Sequence, residues 1–429
     1  MDESRLARLP GRPRFLRLLP FGEARDRVGL WFRAVSSEWV GADRSAGRVS
    51  SSTVRARCDI PGSNISAMDG YAIVSADTEG ASPRGPCQLR LVRRPDGKPR
   101  AGNLRRGEAS AVLTGDPLPR GSDAVLRLEQ ARVEGESVIV PAPVPRWKNV
   151  SLEAEDVKAG DVLLRSGEVI MPASMAVVIS AGIARVRVHR APRVGVISVG
   201  RRLKRFGDAS PGRTVNNYAN LVLGYLSEFG GGGTMVGIAR DGVSEISGIV
   251  ADAARRFDMV VTIGGVSVGS NDLVPDAVMG SPGSRMVFHG LRAVPLRPVG
   301  LASIGGVPVV MLPGHAVSAA ISFFAIGVPV LNVLSGLRPD SRVPRLRATA
   351  AEEFANRRPM DAFVLAVLES RQDGLAATPL GWGSNLQSNL ARANGFVHLR
   401  RGSRVRAGEP VSVELFGSSQ LLRVAGGHP

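Results

Sequence analysis

At 429 residues the chain has room for two to four domains of ~100–200 residues. Its 44% hydrophobic and 22% charged content exclude a disordered or fibrous protein, and two cysteines, Cys58 and Cys87, are too few for a disulfide framework or a four-thiolate zinc site. Fifty-five basic residues against 38 acidic ones give +17, almost all of it arginine, since the lysines are Lys98, Lys148, Lys158 and Lys204 alone.

Such a surface attracts phosphates, and the arginine fork grips them with two prongs. The arginines are nevertheless scattered through every segment, with no basic recognition helix and only 5% aromatics, so the charge does not point to a sequence-specific nucleic-acid reader. The first thirty residues are basic but lack the uninterrupted apolar core of a signal peptide.

The predicted elements run as follows. Residues 21–49 and 151–190 look helical, including a run over 174–182 that stops at Gly182, and are expected to form one discontinuous, elongated linker domain. Between them, 50–150 reads as a β domain, with alternating runs starting at Gly70, Cys87, Ala109, Asp123 and Glu136. From 191 to 337 the period changes. Apolar strands at 193–199, 234–239, 258–263, 285–290 and 308–312 alternate with helical patterns, which predicts an α/β domain with a doubly wound parallel sheet. Residues 338–429 return to period two and form a C-terminal β domain.

Pro298–Leu337 carries no Asp, Glu, Lys or Arg over forty residues, enough to cross a bilayer. Pro308, Pro313 with Gly314, and Pro329 divide it, so it is expected to be a strand, a turn and a core helix, not a membrane span.

Ligands of an open parallel sheet bind at the carboxyl ends of its strands, so the informative residues are the strand exits. Gly264, Gly265, Ser267 and Gly269 follow the third strand, where glycines let backbone N–H groups approach an oxyanion. Asp241 and Asp272 face the same exits, and a carboxylate beside a phosphate cradle suggests a divalent cation between them, magnesium by chemistry, unless both merely cap helices. His289 and His315 have no serine or cysteine partner and are expected to be structural. The run Gly230–Gly233 is expected to be a flexible connector.

The motifs SAMDGYAI (66–73), LTGDPLPRGSDAV (113–125), GGVSVG (264–269), LPGHAVSA (312–319) and GSNLQSNLARANG (383–395) together resemble the molybdopterin molybdenumtransferases, the MoeA and gephyrin E-domain family. The resemblance implies a cytoplasmic homodimer of four-domain subunits, with a sheet domain like that of the molybdopterin adenylyltransferases. The implied reaction inserts molybdate, or tungstate, into adenylylated molybdopterin with Mg2+ and releases AMP. It places catalytic acids at Asp69, Asp123, Asp156, Asp241 and Asp272, the last two as metal ligands, with Glu129 a further matching acid. It places substrate contacts at Thr114, Gly264, Gly265, Ser267, Gly269, Arg297, Pro313, Gly314, Ser318 and Ser384.

The chain departs from the family pattern at several points. Asn64-Ile65 stands for Asp-Asn, Arg201 and Arg202 replace two acids, and His315-Ala316 stands for Asn-Pro. Of three cationic positions associated with molybdate, Arg297 is kept while Ala293 and Leu365 are uncharged, with Arg292 available as a stand-in. Two functions follow: a working insertase, or a non-catalytic dimeric scaffold that binds a protein partner or the pterin.

Overall fold

The apolar run at 193–199 is rich in β-branched residues with no polar face, the pattern of a strand covered on both sides. It forms β1 (Arg193–Val199), five of whose seven residues are buried. The computed structural model describes residues 17–92, 103–204, 214–215, 217–240, 242–269, 272–417 and 423–424. These form two units: one of residues 39–46 and 52–187, the other holding the remaining described residues, β1 included.

In the unit that contains β1, the strands β2 (Gly232–Ala239), β3 (Met259–Ile263), β4 (Ser284–His289), β5 (Gly300–Ile304) and β6 (Val307–Leu312) complete a six-stranded sheet of order β2-β1-β3-β6-β5-β4. The first four in that order are mutually parallel, as the alternating pattern predicts. β5 and β4 add an antiparallel edge. β5 is absent from the expected strands because Gly300-Leu-Ala-Ser-Ile304 is short and weak in β-formers.

Both faces are covered. Helix α1 (Tyr218–Glu228) buries Ala219, Val222 and Leu226 in the same core as Val194, Val196 and Val261. Helix α2 (Val243–Arg256) buries Ile246, Val250 and Ala253 in a second core with Ile197 and Val260. Odd and even strand residues thus serve opposite layers, which is what double winding requires.

The uncharged stretch becomes β5, β6 and a 19-residue helix, Ala316–Leu334, that is fully buried in the protein, so its hydropathy is spent on the core. Pro329 lies inside this helix and does not end it. The helix widens into a π-turn at Phe323–Gly327 just before the proline, which accommodates a residue without an N–H donor.

Gly230–Gly233 is not a loose connector. The Gly231 N–H caps α1 at Leu226 O (3.0 Å), Gly232 and Gly233 pair with β1, and a methyl group on Gly233 would lie 2.7 Å from Leu223. The glycines let helix and strand pack at close range.

The same unit's C-terminal strands close into a ring. Asp361–Arg371 pairs with Gly374–Pro379, then in order come Arg345–Ala350, Pro410–Leu415 and Gly395–Leu399, which returns to Asp361–Arg371. In the other unit the alternating runs form a six-stranded sheet containing Gly70–Ile73, Cys87–Leu91, Glu108–Val112, Ala124–Arg127 and Ser137–Val140, with Arg132–Glu134 as an additional edge strand. Its helix, Pro172–Ser180, starts on a proline and is followed by Gly182 at φ +80°.

Candidate functional site

Two cavities open at the carboxyl ends of the parallel strands, where a doubly wound sheet places its ligands. The larger, 700 Å³, is walled by Gly264 and Gly265 after β3, by Arg201 and Arg202 after β1, by Arg240 after β2, and by Asp272, Tyr218 and Asn385. Gly264 and Gly265 adopt φ +95° and +65°, conformations that side chains resist. The helix that follows is the single short turn-and-a-half Val274–Met279, so the cradle depends on the loop itself and not on a long helix dipole.

Asp272 closes that loop. Its carboxylate accepts from the Gly269 N–H (2.9 Å), and its own N–H donates to the Gly269 carbonyl (3.0 Å). Asp241 and its position relative to Asp272 lie outside the described residues. Magnesium is ordinarily held by one or two carboxylates together with phosphate oxygens, and a carboxylate in the wall of an oxyanion cradle meets that requirement. Among the described residues no group of three or more His, Cys, Asp and Glu could hold a metal by themselves. Burial pushes the Tyr218 phenol up despite a hydrogen bond from the Gln387 amide (2.9 Å).

The second cavity, 410 Å³, is walled by Arg297, Pro313, His315, Ser318, Ser384 and Leu365, with Arg358 and Trp382 added by the C-terminal ring. The turn Leu312-Pro-Gly-His315 separates the two cavities: Pro313 faces one, Gly314 the other, and His315 both. The Ser384 carbonyl accepts the Val317 N–H (3.1 Å), tying the 383–395 segment to the start of the long helix. Ser267 is partly buried beside the cradle. His289 is structural, its Nε2 lying 2.8 Å from the Val266 carbonyl.

The structure brings together Gly264, Gly265, Gly314 and Asp272 in one cavity, and Arg297, Pro313, Ser318 and Ser384 in the other. Arg292 is exposed and is not part of either wall, and Ala293 is fully buried. Arg240, Tyr218, Arg358 and Trp382 were not anticipated, although Arg240 adjoins Asp241 at a strand exit and Trp382 lies between Gly381 and Gly383.

The remaining candidate acids belong to the other unit. Asp69 accepts from the Thr114 N–H (2.7 Å) and hydroxyl (2.8 Å), which in that order hold its carboxyl below the usual range. Asp123 is engaged by the Ser75 N–H (2.7 Å) and hydroxyl (3.0 Å) and by Arg146 (3.4 Å), an arrangement that fixes a turn. Glu129 is exposed and lies 3.3 Å from Arg127; Asp156 is exposed. Asn64, in place of an acid, accepts the Glu153 N–H (2.8 Å).

Comparison with known proteins agrees with this architecture. Residues 19–182 match the MoeA N-terminal region (domain I and II), 195–333 a probable molybdopterin binding domain, and 347–416 the MoeA C-terminal region (domain IV). The chain is 30% identical over 382 residues to molybdopterin molybdenumtransferase 2 of Mycobacterium tuberculosis, covering 87% of this chain and 93% of that protein. It is 28% identical over 404 residues to the molybdopterin molybdenumtransferase of Staphylococcus epidermidis, covering 93% and 96%. The crystal structure of the molybdopterin biosynthesis MoeA protein from Pyrococcus horikoshii OT3 superposes with a TM-score of 0.79 at 27% identity, over 93% of this chain and all of that one. With a shared fold, three matching regions in order and similarity along nearly its whole length, the chain belongs to the molybdopterin molybdenumtransferase family of molybdenum cofactor biosynthesis.

Proposed function

We propose that this protein inserts molybdate, or tungstate, into adenylylated molybdopterin and releases AMP. The observation that carries this reading is the pair of cavities sharing the Leu312–His315 turn, one with a glycine cradle and guanidiniums suited to phosphate, the other with Arg297, Ser318 and Ser384 suited to an oxyanion.

In this reading the Gly264–Gly265 backbone and Arg202 and Arg240 bind the phosphates, while Tyr218 donates a hydrogen bond at the same wall. Asp272, with Asp241, would hold magnesium, whose chemistry is to neutralise phosphate charge and polarise the bond to AMP. Arg297 neutralises the oxyanion, and the hydroxyls of Ser318 and Ser384 orient it. Asp69, Asp123 and Asp156 are proposed as the further acids of the reaction. The protein is proposed to work as a cytoplasmic homodimer, as the family resemblance implies.

The test supplies adenylylated molybdopterin, magnesium and molybdate to the purified protein, and follows AMP release and protein-bound molybdenum by mass spectrometry. AMP released in step with metal bound is the expected result. No AMP above background would overturn the reading in favour of a non-catalytic scaffold.

A further inference from the structure

Among the described residues no Asp or Glu lines the 410 Å³ cavity, whereas Arg297, Arg358 and His315 do. Cationic side chains converging on one cavity without an acid to balance them mark a place for an anion.

Arg358 is held where it is by the fold. Its turn is pinned by Asn356, 2% exposed, whose side-chain oxygen accepts the Arg358 N–H (3.1 Å) and whose amide donates to the carbonyls of Met360 and Arg400 (both 2.9 Å). The guanidinium lies 4.9 Å from the centroid of the Trp382 ring, and Trp382 lines the same cavity. An indole face under a guanidinium restrains it and leaves its N–H edge available to an anion. Ala293 and Leu365, the positions where the family resemblance puts cations, are 0% and 5% exposed and bring no charge.

We propose that Arg358 is the second cation of the oxyanion cavity and, with Arg297, sets its preference for a doubly charged tetrahedral anion. The proposal rests on the reading of this cavity as the molybdate site. A pair of guanidiniums balances a dianion, whereas one balances a monoanion, so Arg358 acts on charge selectivity more than on shape.

Tungstate and perrhenate share size and tetrahedral shape but carry two charges and one. Equilibrium dialysis of each against the full-length protein, wild type and variants, separates the possibilities. The expected result is that wild type prefers tungstate, and that Arg358→Ala and the polar, uncharged Arg358→Gln each weaken tungstate at least about tenfold while affecting perrhenate much less. Arg358→Lys should recover part of the preference, and AMP affinity at the glycine cradle should be unchanged in all three, which excludes misfolding.

An unchanged tungstate-to-perrhenate ratio in Arg358→Ala and Arg358→Gln would overturn the proposal, and the insertase reading would stand if wild type still transferred metal. Arg358-dependent tungstate binding without AMP release would overturn the insertase reading and keep this one. No tungstate binding by wild type would overturn both.

Discussion

Gly264 and Gly314 pass with their backbones in contact: a methyl group on Gly314 would lie 3.2 Å from Gly264 Cα, and one on Gly264 would lie 2.5 Å from the Val199 carbonyl oxygen. The phosphate cradle and the turn between the cavities therefore fit together only as bare backbone. At φ +95° the Gly264 conformation is also one that alanine resists. Gly264→Ala should destabilise the protein by about 2 kcal/mol or more and abolish AMP binding. Thermal unfolding and calorimetry of the same sample check both, and a variant with unchanged melting temperature and AMP affinity would refute the close fit.

Removal of magnesium tests the balance of charge at the cradle. Arg201, Arg202 and Arg240 stand in one wall with Asp272, so AMP binding should weaken with a chelator present but persist. Asp272→Asn keeps an acceptor for the Gly269 N–H and removes the charge, so it should erase the magnesium effect without unfolding the loop. Calorimetry with and without chelator reads this directly. A magnesium effect undiminished in Asp272→Asn would leave Asp272 only its part in the turn.

Acid stability should depend on Asp258. Burial alone raises its carboxyl, but the Arg190 fork, the Arg193 N–H (2.8 Å) and the charges of both arginines outweigh burial and hold it below the usual value. A carboxyl lowered by folding contributes stability that is complete above its unfolded pKa, about 4, and is lost as pH falls through the lower folded value. Asp258→Asn should cost about 1–3 kcal/mol at pH 7 and flatten the loss of stability below pH 4. Denaturant melts at pH 3 to 7 measure it; parallel curves for the two proteins would contradict the assignment.

The +17 charge should give weak DNA binding without sequence preference, falling steeply with salt, because each neutralised phosphate releases a counterion. Fluorescence anisotropy across a salt series checks this. Tight, base-selective binding at ~150 mM salt would show a recognition surface that the scattered arginines do not suggest.

The fold was legible where hydrophobic pattern alone decides it. β1, β3 and β6 are apolar runs, and the period of α1 and α2 is plain in the sequence. Gly300–Ile304 and Gly374–Pro379 were not, since alanine and glycine carry little strand signal and both segments become strands through their neighbours. The Ala316–Leu334 helix was legible as well, and Pro329 lies within it because a π-turn at Phe323–Gly327 relieves the proline's local veto.

The glycine cradle announced itself by composition, whereas Arg358 could not. It is one arginine among many, on a turn without motif. Only the buried Asn356 and the ring of strands carry it to a cavity whose other walls come from residues 294–318, 363–365 and 380–384.

That ring has a consequence for handling the protein. Ala362–Leu368 is seven consecutive buried residues, all of them apolar, the kind of segment that seeds intermolecular sheets when its edges are bare. Each residue from Asp361 to Arg371 has a strand partner, and circular closure leaves this segment no place to recruit a second chain. Truncation before Gly395 would remove two adjacent strands of the ring and convert a protected segment into an adhesive one, so shortened forms should precipitate where the whole chain stays dispersed.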